Sequence, residues 1–148
     1  MLPEHASPSS LTESGVLNEL RRQVERWEVV GNISIDTLAR RYMDKECRVM
    51  EIKVFRGTAG DAAGSTDIDL HAKIGTADEA RILADTVQIE QSGGDNQRVT
   101  GALDTANAAH DGTGIVLSPG DYLVPYVDAI ETDSAPADLT IEVVLLIG

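Results

Sequence analysis

The end of the chain constrains its fold most. Two β-rich runs, Tyr122–Ile130 and Leu139–Ile147, flank a polar turn that contains Pro136, and the second run reaches the final Gly148. So apolar an end is not left loose in water; it reads as a strand locked into a sheet. Ahead of them, Ser118–Asp121 places Pro119 second and Gly120 third in a four-residue turn, which is the signature of type II. Pro125 inside the first run removes one ladder donor, which predicts an edge or non-bonding position. The expectation is an antiparallel β-sandwich closed by its own C-terminal strand.

Earlier segments agree. Trp27–Ile35 reads as a strand with a bend or bulge at Gly31, and Leu38–Met43 as a second. In Cys47–Arg56 the set Arg48, Met50, Ile52, Val54 and Arg56 is the more apolar in its middle, so Met50, Ile52 and Val54 are expected to face the core. Gly57–Ser65 is a loop by composition. Asp67–Ile74 alternates cleanly, with Ile68, Leu70, Ala72 and Ile74 on one face and Asp67, Asp69, His71 and Lys73 on the other. Asp78–Leu83 fits a short helical turn or a loop, Thr86–Glu90 a short strand, Ser92–Asn96 a turn, Leu103–Gly114 a long surface connection and Ile115–Leu117 a brief strand. Short strands without βαβ alternation point to an all-β, jelly-roll-like sandwich.

The N-terminal part differs. Residues 1–10 form a polar arm with Pro3 and Pro8, expected to be extended in isolation. Leu11–Val24 reads as a short helix, because Val16, Leu17, Leu20, Val24 and Trp27 follow helical spacing. Trp27, Val29, Ile33 and Ile35 also alternate, so strand character beginning near Val24 is the alternative. The expected organisation is an arm and helix over 1–24 and a sandwich over 25–148.

Composition narrows the function. Aromatic residues are 3% of the chain, so the core must be aliphatic and few rings remain for a sugar-stacking platform. The net charge of −13 is uneven. Residues 1–56 carry nine basic and nine acidic side chains, whereas residues 57–148 carry three and sixteen. The acidic two-thirds repels phosphate backbones and anionic lipid, which argues against nucleic-acid and membrane partners. Cys47 is the only cysteine, so no intramolecular disulfide exists, and its apolar neighbours make it a small core residue. The first ten residues lack the basic start and apolar centre of a secretory signal, and folding in a reducing cytoplasm is expected.

Chemistry is hard to find. The histidines are His5 in the arm, His71 on a polar strand face and His110 in a loop, and no nucleophile elbow, zinc helix or phosphate-binding loop accompanies them. No enzyme activity and no cofactor are expected. Two acidic groups, Asp61 with Asp67 and Asp69, and Asp128 with Glu131, Asp133 and Asp138, offer oxygen ligands that suit calcium, but plentiful loop acids are usually just solvated. Arg21, Arg22 and Arg26 share one flank of the predicted helix, with Arg40, Arg41, Arg48 and Arg56 following. Arginine favours planar pairing with carboxylates, either on another protein or on local acids such as Glu19, Glu25 and Glu28.

The order of features from Val24 to Ile147 resembles a β-sandwich of tailed-bacteriophage structural proteins. The resemblance rests on Cys47–Arg56, the Gly57–Gly60 and Gly64–Thr66 loop, Asp67–Ile74, Leu103–Asn107, Ser118–Leu123 and Ala137–Val143. It implies a virion accessory protein of the head, neck or tail, in particular a capsid decoration (cement) protein on the phage head. It further implies a trimer that meets the major capsid protein or other virion proteins. Leu2, Pro3, Leu11, Leu17, Leu20, Arg21, Arg22 and Trp27 are the expected partner contacts. The alternative is a tail or receptor-binding sandwich recognising a host glycan, for which Tyr122 and Tyr126 lie on one strand face.

Overall fold

The period-two runs become strands of two antiparallel sheets. A computed structural model describes residues 21–61, 63–131 and 135–148. The strands are β1 (Arg22–Asn32), β2 (Asp36–Thr37), β3 (Arg41–Tyr42), β4 (Cys47–Thr58), β5 (Ser65–Lys73), β6 (Ala80–Arg81), β7 (Val87–Glu90), β8 (Gln97–Gly101), β9 (Ile115–Leu117), β10 (Tyr122–Ala129) and β11 (Ala137–Ile147). The first sheet runs β1-β11-β4-β8 with β9 also on β4; the second runs β2-β10-β5-β6 with β3 also on β10 and β7 also on β5. The pairs β2/β3, β6/β7 and β8/β9 each form one broken edge. Merged, they leave four positions per sheet, and the connections between the sheets follow a jelly roll.

Between the sheets lie Ile52, Val54, Ile68, Leu70, Leu123, Ile141 and Val143, with Trp27 at the rim of the first sheet. The core is aliphatic, as the scarcity of rings demands, and Cys47 is one of its small members. Gly120 has φ +94° and the Asp121 amide donates to the Ser118 carbonyl at 3.0 Å, so the type II geometry read from Pro119 and Gly120 forms. The Pro125 carbonyl accepts from the Leu38 amide at 2.9 Å. Its nitrogen therefore faces the gap between β2 and β3, where no ladder donor is needed.

Several expectations are corrected. β1 begins at Arg22, so Arg22, Gln23 and Val24 are strand and not the last turn of a helix; β11 supplies the pairing partner that outweighs helical spacing. Arg21 just before it is helical, and residues 1–20 of the expected arm and helix lie outside the described residues. Met50 does not lead the core face of β4. Val144 pairs with Glu51 and Leu145 with Val49, which leaves Met50 as a bulge. The bulge resets the phase, so Cys47 and Val49 are buried before it and Ile52, Val54 and Arg56 after it. The strand expected at Leu38–Met43 shrinks to β3, and the short β2 forms just ahead of that span. Asp78–Leu83 holds the short β6 rather than a helical turn, and β8 forms where no strand was expected, carried by the single apolar Val99 opposite Val54. Among the described residues no helix is long and apolar enough to cross a membrane.

Candidate functional site

The outer face of the second sheet carries the densest polar network. Leu123 and Val127 of β10 point into the core, so Tyr122 and Tyr126 point outward, as do Asp69 and His71 of β5. The β5–β6 connection lays Glu79 across them. Tyr122 donates its hydroxyl to Glu79 Oε1 at 2.7 Å and Tyr126 donates to Oε2. His71 Nδ1 stands 3.7 Å from Glu79 Oε2, and its Nε2 lies 3.0 Å from Asp69 Oδ2. Arg81 Nε donates to the same Asp69 oxygen at 2.8 Å, and the other oxygen accepts the Leu70 amide. Asp69 was expected on a polar strand face; it is on that face and also buried, 3% exposed.

The electrostatics follow from these bonds. The two tyrosine hydroxyls hold the Glu79 carboxyl below its ordinary range, Tyr126 contributing most. The same bond and partial burial push the Tyr126 phenol up to about 12. Every carboxylate in the network thus already accepts from protein donors, and His71 is clamped between two of them. No serine hydroxyl or cysteine thiol joins it. Burial raises the Cys47 thiol to about 11, the opposite of an activated nucleophile. The network is a polar tile whose carboxylates are paired with the side chains around them.

The arginines of the N-terminal third are dispersed. Arg26 pairs with Glu142 at 2.5 Å, Arg48 with Asp111 at 2.5 Å, and Arg41 with Glu25 at 3.8 Å. Arg40 lies over the Tyr122 ring at 4.6 Å. Arg56 is wholly buried, its Nη1 2.5 Å from Glu131 Oε1. Their partners are mostly distant in sequence, not the neighbouring acids. Arg21 and Arg22 remain exposed at the start of β1, beside the C-terminal end of β11.

Of the expected partner contacts, Leu2, Pro3, Leu11, Leu17 and Leu20 lie outside the described residues. Trp27 does not share the exposed surface of Arg21 and Arg22. It is 4% exposed, donates Nε1 to the Ala39 carbonyl at 2.7 Å and is covered by Arg41. Of the acids considered for calcium, Asp67, Asp69, Glu131 and Asp138 are engaged with protein donors, and Asp133 lies outside the described residues. Asp67 takes the Ser65 hydroxyl at 2.5 Å, Asp138 the Gly31 amide at 2.8 Å, and Glu131 serves Arg56. Among the described residues no group of three or more His, Cys, Asp or Glu side chains is placed to hold a metal ion. Sequence reasoning missed Glu79, which carries no signal of its own. It also missed the buried role of Arg56, although Arg56 stands in phase with Ile52 and Val54 and that phase was the available clue.

No protein-family model matches the chain, and no curated protein matches it by sequence. Among solved structures, a chain of the capsid of Ralstonia phage GP4 is similar in fold, with a TM-score of 0.51 and 13% identity over 86% of this chain and 84% of that one. A chain of Triatoma virus gives a TM-score of 0.37 and 11% identity over 99% of this chain and 74% of that one. The first shows a shared β-sandwich fold; the second is too distant to carry an argument.

Proposed function

We propose that this chain is a non-enzymatic structural protein of a virion, a decoration protein that binds the head of a tailed bacteriophage through its N-terminal residues. The observation that carries the reading is reciprocal: the likeness to a chain of a phage capsid spans 86% of this chain and 84% of the other, so the sandwich as a whole is what the two share. The polar groups of the body support an inert role, since the members of the Tyr122–Glu79–His71–Asp69 tile pair with one another.

In this reading the sandwich is the block and residues 1–20 are the grip, with Arg21 and Arg22 at its root. The partner is the major capsid protein or another virion protein. A segment that orders on binding loses conformational entropy, and several copies attached together, as in the trimer the resemblance implies, offset that loss. The test is the full chain and a variant lacking residues 1–20, which spares β1, each added to purified undecorated heads. The full chain should bind, and the shortened chain should keep its β spectrum yet bind at least about tenfold more weakly. Equal occupancy by the two would remove the grip, and no binding by the full chain would remove the decoration role.

A second reading, a receptor-binding sandwich for a host glycan, is favoured by Tyr42. Its ring is 61% exposed and tilted 5.2 Å from that of Tyr122. Glycan-array binding that Tyr42→Ala abolishes would support it.

A further inference from the structure

β1 is an edge strand. It pairs with β11 on one side, and among the described residues no strand pairs with the other. Residues Glu25, Trp27 and Val29 form its inner row, while Val24, Arg26, Glu28 and Val30 belong to the outer row. That outer row holds two of the four exposed large hydrophobic side chains among the described residues, Val24 at 41% and Val30 at 89%.

The row is its own complement when run antiparallel about Trp27. Val24 then falls opposite Val30 and Arg26 opposite Glu28, and the two-fold repeats both matches. Opposite charges and paired β-branched side chains are the cross-strand combinations that stabilise a sheet. The existing register prepares the charge match: Lys53 lies beside Glu142 and Glu142 beside Arg26, so a Glu28 from a second copy continues an alternating ladder. The backbone agrees. The Gly148 amide donates to Glu46 toward β4, so by alternation the odd residues of β11 serve β1, and Val24, Arg26 and Glu28 face outward ahead of the irregularity between Val29 and Asn32. The Arg26 carbonyl does face that way, accepting from Arg41 Nη2 at 2.9 Å. Arg41 lies on the inner side, over the Trp27 ring, and takes one of the two lone pairs of that carbonyl.

We propose that β1 is a self-pairing edge, at which two copies of this chain join antiparallel about a two-fold axis at Trp27 and run their first sheets on as one. The contact is isologous, so it closes at two copies and is separate from any three-fold association. It does not depend on the decoration reading.

The test uses the full chain. In the proposed register residues 24 and 30 of facing copies form a directly opposed pair at a separation a disulfide can span. The double variant Val24→Cys/Val30→Cys should give a chain-to-chain crosslink on mild oxidation, at least about tenfold above either single variant, and sedimentation of the unmodified protein should show the dimer. Val30→Lys, at a side chain already in solvent, should weaken that dimer at least about tenfold while leaving the melting curve unchanged at concentrations too low for the dimer to form. A wild-type monomer, single-cysteine crosslinks as abundant as the double, or a dimer indifferent to Val30→Lys would each overturn the proposal.

Discussion

The guanidinium of Arg56 and the carboxylate of Glu131 meet at 2.5 Å with neither side chain exposed, and so bolt one sheet to the other. Arg56 comes from β4, Glu131 follows β10, and Thr66 of β5 donates to the second carboxylate oxygen at 2.7 Å. Arg56 also donates to the carbonyls of Ile89, Glu90 and Gly94, while its Nε is buried with no partner. Removing one member leaves a bare charge in the core. Glu131→Leu should cost about 3–5 kcal/mol, and Arg56→Met/Glu131→Leu less than the sum of the single losses. Urea unfolding of the four proteins gives the coupling; strictly additive losses would show that the pair does not act as a unit.

Two glycines should differ in what they tolerate. A Cβ on Gly101 would stand 2.5 Å from Val87 Cγ2 and 2.7 Å from Ile52 Cγ2, whereas one on Gly114 would stand 2.4 Å from the Val49 carbonyl oxygen. Side chains yield more easily than a backbone held in a ladder. Gly101→Ala should therefore cost about 1–3 kcal/mol and Gly114→Ala more. Thermal melts rank them, and the reverse order would contradict the packing described.

Asp111 should report its partners in a pH titration. Arg48 above all, then the Gly114 and Thr113 amides, lower its carboxyl from the ordinary 3.8 to about 2. A folded-state value below the unfolded one means the contribution to stability is present above about pH 4 and is lost as pH falls toward 2. Arg48→Ala should raise the Asp111 midpoint without restoring it fully, since the amides remain. An NMR titration in which that midpoint does not move would dismiss the ion pair as its cause.

Tyr126 should ionise late. With the Glu79 carboxylate against its hydroxyl it loses its proton at about 12, and Tyr126→Phe should remove that step from the ultraviolet titration while letting Glu79 rise toward its ordinary range. The loss of one such bond should cost about 1 kcal/mol. A high-pH step of undiminished amplitude, beyond what Tyr122 on the same carboxylate contributes, would place the shift elsewhere.

The C-terminal strands were legible because Pro119, Gly120 and the apolar runs each fix local geometry. β5 was legible because one residue in two is apolar. The phase of β4 was not, since the bulge at Met50 sits among Val49, Met50 and Ile52, where either face reads as apolar. The start of β1 was hidden for a related reason: Trp27 satisfies helical spacing with Leu20 and Val24 and strand alternation with Val29, and only pairing with β11 decides. The tile on the second sheet depends on where Glu79 lands after a loop, which no periodicity encodes.

Quantitative mass spectrometry of virus-like particles purified from cells that express this chain tests the proposed virion role most directly. The expected result is this chain at on the order of hundreds of copies per particle, in fixed ratio to the major capsid protein, as symmetric occupation of a lattice requires. Its absence from washed particles would contradict the account.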